Sequence, residues 1–183
     1  MKTALLLNLL ALAGCSRVVI SEPIGEEIPD ADAALFAGMW QGIEGEPFEV
    51  QYDAESNEFT VSRTDAREFN GTKFSIRSLA EDVLVLWVED KELTAYVPLR
   101  ISISLAEDPK FITLLVPDSD EVEKRVSSGK IKGSYDEALR AWVISPEAIS
   151  ETLLSKDFWS LEIVPAFVKV DAMKQVHTAS EQP

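Results

Sequence analysis

The stretch Leu99-Arg100-Ile101-Ser102-Ile103-Ser104-Leu105 alternates apolar and polar side chains without a break. Successive side chains of an extended chain point to opposite sides. Leu99, Ile101, Ile103 and Leu105 therefore share one face, and Arg100, Ser102 and Ser104 share the other. The spacing predicts a strand with one buried and one wetted side. The same period runs upstream. Phe74 and Ile76 alternate with Lys73, Ser75 and Arg77, and Phe59 and Val61 alternate with Glu58, Thr60 and Ser62. Turn residues separate these runs: Asp53 through Asn57, Asn70-Gly71, Glu89-Asp90-Lys91 and Glu107-Asp108-Pro109. Strands at this spacing, joined by short turns, predict an antiparallel meander. Asn70-Gly71-Thr72 also fits a glycosylation sequon, but its place between two strands makes it a hairpin turn.

Two runs break the alternation. Val83–Val88 and Phe111–Val116 are apolar on both faces. A strand of that kind needs cover on each side, with barrel interior on one and a helix on the other. Two short helices near the C-terminal end are available. Asp118 and Glu121 have capping-box-like spacing, Val122 and Val126 share a face, and Gly129 ends the run. The second helix starts at Ser145 with Pro146 in its first position, and Ile149 and Leu153 form its apolar stripe. A last strand is expected from Trp159 to about Val170, interrupted at Pro165. The predicted class is mainly β with two short helices (α+β), one domain over residues 34–172, and a flexible polar tail over 173–183.

The N-terminus reads differently. Lys2 is a minimal positive region, and Leu5, Leu6, Leu7, Leu9, Leu10 and Leu12 form a short apolar run. A membrane-spanning helix needs about 20 apolar residues, and this run has about half that. Leu12-Ala13-Gly14-Cys15 then resembles the lipobox of bacterial lipoproteins. The resemblance implies that residues 1–14 are a signal peptide, that the Cys15 thiol is acylated, and that the mature chain begins there. It places the protein in the cell envelope on a lipid anchor. Ser16 after the cysteine implies the outer membrane facing the periplasm, if the source is Gram-negative. Residues 15–33 hold Glu22-Pro23, Gly25-Glu26-Glu27 and Pro29-Asp30, and are expected to be a lipidated tether. The alternative is an irregular first strand through Val18-Val19-Ile20.

Gly38-Met39-Trp40 stands at the start of the meander. Gly-x-Trp in that place resembles the opening motif of the lipocalins, and a late helix followed by a last strand resembles their order. The resemblance implies a closed barrel or half-barrel, with the glycine allowing close backbone approach and Trp40 closing one end. The chain departs from the pattern in two ways. Thr64-Asp65-Ala66 comes early and lacks a ring, and no arginine near the C-terminus is placed to partner the tryptophan.

Charge and residue supply narrow the function. The net charge is −15, from 17 basic and 32 acidic side chains. Such a field repels phosphate backbones, which argues against nucleic acid and favours solubility or a cationic protein partner. The single cysteine leaves no intramolecular disulfide, and acylation removes it as a nucleophile. His177, the one histidine, falls in the tail. Carboxylate pairs could be nominated from Glu44, Glu46 and Glu49, or from Glu89, Asp90 and Glu92, but they read as solvated loop charges. Asp118, Ser119, Asp120 and Glu121 lack the spacing and glycine of a calcium loop. Trp40, Trp87, Trp142 and Trp159 read as core anchors before ligand contacts. The expectation is a non-catalytic envelope lipoprotein with no cofactor or metal, acting as a protein-interaction or structural module. The alternative is a lipocalin-like carrier of an apolar small molecule. A carboxylate-based hydrolase is the remaining enzymatic option.

Overall fold

The structure, a computed structural model, describes residues 17–42, 47–62, 71–91, 93–103, 111–160 and 166–170. Cys15, the signal, Glu44, Glu46, Asn70, Glu92, Leu105, Pro165 and the tail with His177 lie outside the described residues.

The meander forms as the alternation requires. Strands β3 (Gly38–Gly42), β4 (Phe48–Asp53), β5 (Glu58–Ser62), β6 (Thr72–Ala80), β7 (Val83–Asp90), β8 (Ala95–Ile103) and β9 (Phe111–Leu115) pair in order, each antiparallel to the next. β12 (Ala166–Lys169) then lies between β9 and β3, antiparallel to both. The eight strands close into a barrel, and closure removes the unpaired edges that an open meander leaves exposed. The described part of the last strand begins at Ala166. Trp159 belongs instead to an isolated bridge with Pro117.

The expected tether over residues 15–33 is overturned wherever its residues are described. Arg17–Ile20 form β1, which pairs in parallel with β11 (Ala141–Ile144) and antiparallel with β8. Val18, Val19 and Ile20 are almost wholly buried. Glu26–Glu27 form β2, a short strand against β6, and Asp30–Ala34 form a third helix, α1. The physical reason is three consecutive apolar residues. They bury both sides of a strand once two layers are present to receive them. Acids and prolines nearby masked that demand.

β10 (Gly133–Asp136) and β11 make a hairpin that the alternation did not announce. Together with β1 they extend the sheet from β8 in the order β10-β11-β1-β8. Against this extension pack α2 (Ser119–Ser127) and α3 (Ser150–Leu154). Asp118 caps α2, accepting from the backbone N–H of Asp120 and Glu121, both at 3.0 Å. Ser145 makes no side-chain cap. Pro146–Ala148 form a single 3-10 turn, and α3 begins after it. Ile149 and Leu153 are fully buried, as their spacing required.

Two cores result. One lines the barrel interior around Phe59, which stacks on Phe74 with ring centroids 4.9 Å apart, and Ile76. The other joins Val18, Ile20, Val85, Trp87, Val122, Leu153 and Phe158. β7 serves both, with Leu86 and Val88 toward the barrel cavity and Val85 and Trp87 toward the helices. That is the two-sided cover its sequence demanded. Gly133 allows β10 to lie close: a Cβ there would stand 2.8 Å from the Val143 carbonyl oxygen and 2.5 Å from Ile144 Cδ1.

Ile20 distinguishes a strand from a tether. Ile20→Ala should cost about 2 to 5 kcal/mol in urea unfolding. Met39→Ala on the barrel surface should change stability by less than about 0.5 kcal/mol. A near-neutral Ile20→Ala would show that β1 carries no packing.

Candidate functional site

The barrel is not filled to its axis. Inward residues leave a cavity of about 130 Å³. Its walls come from the alternate positions that the sequence marks as apolar, among them Leu86, Val88, Leu99 and Ile101. Phe48 and Phe167 meet edge to face there, with centroids 5.6 Å apart. Among the described lining residues only Arg17 and Thr72 are polar.

Those two polar residues mark one end. In the β6–β7 ladder Phe74 lies opposite Val88, so Thr72 and Asp90, two residues further along each strand, fall at the same level. Arg17 Nη1 reaches the Asp90 carboxylate at 3.2 Å, and Asp90 is only 9% exposed. Asp90 also accepts from the Leu93 backbone N–H at 3.1 Å. The arrangement is an apolar tube with an arginine, a carboxylate and a hydroxyl at one rim.

Phe36 and Trp40 line the cavity toward α1. Trp40 is 2% exposed, and its indole N–H donates to the Phe36 carbonyl at 2.8 Å. Gly38 is needed for a different reason than the one expected. Its φ is +119°, a region that favours glycine, whereas a Cβ there would meet nothing nearer than Lys169 Cε at 3.5 Å. Lys169 is the residue that sequence reasoning missed. It pairs with Trp40 in the β3–β12 ladder, its Nζ lies 5.8 Å from the Trp40 ring centroid, and it donates to the Leu35 carbonyl at 2.9 Å. The partner is a lysine and not an arginine, and it places its charge above the indole.

Outside this end lies a groove of about 880 Å³, bordered by Glu26, Glu27, Asp32, Glu81 and Asp82, with Arg100 and Lys156 among them. Phe36 and Ile101 border both spaces and form a wall between groove and cavity. α1 holds Phe36 there. Tyr52 secures α1 by donating its hydroxyl to Asp30 Oδ1 at 2.7 Å.

The nominated carboxylates do not assemble a catalytic pair among the described residues. Glu49 accepts from the Ser62 hydroxyl on the barrel surface, and Asp90 is bound to Arg17. Glu121 is held below the usual carboxylate range by hydrogen bonds from Lys124 and Arg125 on its own helix. Among the described residues no group of His, Cys, Asp or Glu is placed to hold a metal ion. Trp87 and Trp159 are buried in the second core, and Trp142 is half-buried beside Tyr135, so Trp40 alone of the four lines the cavity.

The hydrogen bond to Asp30, with desolvation second, pushes the Tyr52 hydroxyl from an ordinary value near 10 up to about 12. The native chain keeps a proton that the unfolded chain loses across that window. The stabilisation is present below pH of about 10 and is lost as pH rises toward about 12. The urea midpoint of Tyr52→Phe should therefore fall less across that window than the wild-type midpoint. Equal falls would show that this bond does not hold α1.

In comparisons with known proteins, no family model, no curated protein and no solved structure matches the chain.

Proposed function

We propose that the chain is a lipid-anchored, non-catalytic barrel that binds a small apolar molecule in its interior. The observation that carries this reading is the cavity of about 130 Å³ with apolar walls. Protein interiors pack closely and leave few voids larger than a water molecule. The volume also bounds the ligand. It is close to the roughly 150 Å³ of an engineered apolar cavity that stays dry and takes up benzene. A single ring or a short branched chain fits, whereas a long acyl chain does not.

Binding rather than chemistry suits the walls, which offer an arginine and a hydroxyl as their only polar groups among the described lining residues. Anchoring rests on the resemblance of Leu12-Ala13-Gly14-Cys15 to a lipobox, with residence in the cell envelope as its consequence. A second reading, a protein-interaction module for a cationic partner, draws support from the acid-bordered groove beside α1 and the net charge of −15.

Benzene or toluene at a hundred times its Kd should stabilise the wild type by about 2.7 kcal/mol in thermal unfolding. Val97→Phe, which fills the cavity, should abolish the shift while keeping the β-sheet circular dichroism. Xenon dissolved in the sample gives an independent readout through a protein-dependent ¹²⁹Xe shift. Wild-type protein that answers neither probe would overturn the carrier reading. For the anchor, Cys15→Ala should remain uncleaved and take up no labelled palmitate. Normal processing and release of that variant would overturn lipidation at Cys15.

A further inference from the structure

The lipid site and the start of the sheet are almost contiguous. This inference rests on the anchor reading above. β1 begins at Arg17, so Ser16 alone separates an acylated Cys15 from a strand locked between β8 and β11. An extended chain advances at most about 3.6 Å per residue, so the Arg17 Cα lies within about 7 Å of the Cys15 Cα. The polar layer on each side of a bilayer is about 6 Å thick. The first residue of β1 must therefore lie at or just above the headgroups, and whatever adjoins it must lie there too.

The neighbour is the turn between β10 and β11. The Arg17 backbone N–H donates to the Arg140 carbonyl at 3.4 Å, and Arg17 pairs with Ala141 in the ladder. In this turn Leu139 is 41% exposed, and Val143 on the following strand is 39% exposed. Val18 lies opposite Trp142, whose half-buried indole sits 5.2 Å from the Tyr135 ring. Aliphatic tips, an arginine and paired aromatic rings suit the boundary between acyl chains and water. The carboxylate of Asp136 is occupied within the turn, accepting from the backbone N–H of Ala138 and Leu139. Asp136 and Glu137 outweigh Arg140 by one charge and Asp90 offsets Arg17, so seating by this face depends on apolar contact and not on attraction to anionic headgroups.

We propose that the start of β1 and the β10–β11 turn form a bilayer-seated face, with Leu139 at its centre. The occupant is the headgroup and upper acyl region of the membrane that holds the anchor. Arg17 belongs to this face and lines the barrel cavity, so the seating brings the cavity's arginine side nearest to the lipid.

The test uses the processed, acylated chain in vesicles of phosphatidylethanolamine and phosphatidylglycerol. Acylation consumes the one native cysteine, so an introduced thiol is the only free one. Leu139→Cys and Lys132→Cys each carry an environment-sensitive fluorophore. Lys132 is exposed at the opposite end of the same hairpin, four residues from Asp136 and about 13 Å away along the strand. The Leu139 label should shift to the blue and lose most of its fluorescence to brominated acyl chains, at low and at high salt. The Lys132 label should do neither. Equal quenching of both labels on protein that floats with the vesicles would overturn this face and leave the anchor standing. Protein that fails to float would overturn the anchor, and this face with it. A Leu139 label shielded by a second copy of the chain, with no response to brominated lipid, would also overturn the face.

Discussion

β8 gives one edge to β7 along most of its length and divides the other edge between two partners. Arg100 through Ile103 pair with β9, and Tyr96 pairs with β1. Each backbone N–H and C=O left without a partner in a buried position would cost free energy comparable to a lost hydrogen bond. The long strand therefore needs β9 for its second half and something else for its first. β9 closes the barrel through β12 and β3. β1 leads to β11 and β10, and with them to the helices. The barrel and the second layer are held as one body by this shared edge, and the two hydrophobic cores meet across β7 and β8.

The same division explains the position of the cavity and its rim. Barrel closure sets a fixed circumference, and the inward residues are mostly Val, Leu, Ile and Phe, which do not reach the axis everywhere. Phe36 and Trp40 line the space toward α1, held by α1 and by Lys169. At the level of Asp90 and Thr72 the β1 strand contributes Arg17, whose charge Asp90 neutralises. The pair lies where the sheet changes from closed barrel to open extension. Bound Asp90 keeps the arginine from being an uncompensated charge beside an apolar space.

The acidic balance has a place in this layout. Glu26, Glu27, Asp32, Glu81 and Asp82 gather around the groove beside α1. The side that begins at β1 carries Arg17 and Arg140 against Asp90, Asp136 and Glu137, a balance near neutral. The net charge of −15, which repels an anionic surface, therefore comes mainly from elsewhere on the chain.

Much of the barrel was legible from period-two alternation alone. The runs around Phe59, Phe74 and Leu99 became β5, β6 and β8, and the run at Val83 became β7, covered on both faces. The run at Phe111 became β9, which turns Ile112 and Leu114 to the cavity but is not covered on both faces as expected, because Phe111 is 41% exposed. Gly38 stands where φ is +119°, and not where close approach demands a missing Cβ. Three things were not legible. Val18-Val19-Ile20 looked like tether because its partner Ala141–Ile144 lies more than a hundred residues away, and parallel pairing leaves no local turn signal. The β10–β11 hairpin was too short to show a period. Lys169 joined Trp40 only when β12 came to lie beside β3. The sequence by itself determined which faces of the strands are apolar, where helix α2 starts, and that no disulfide supports the body. Only the tertiary structure decided that the barrel closes, that it encloses a space, and that β1 enters the sheet. Local chemistry sets a strand's sides, whereas its neighbours are chosen by which distant edges remain unpaired.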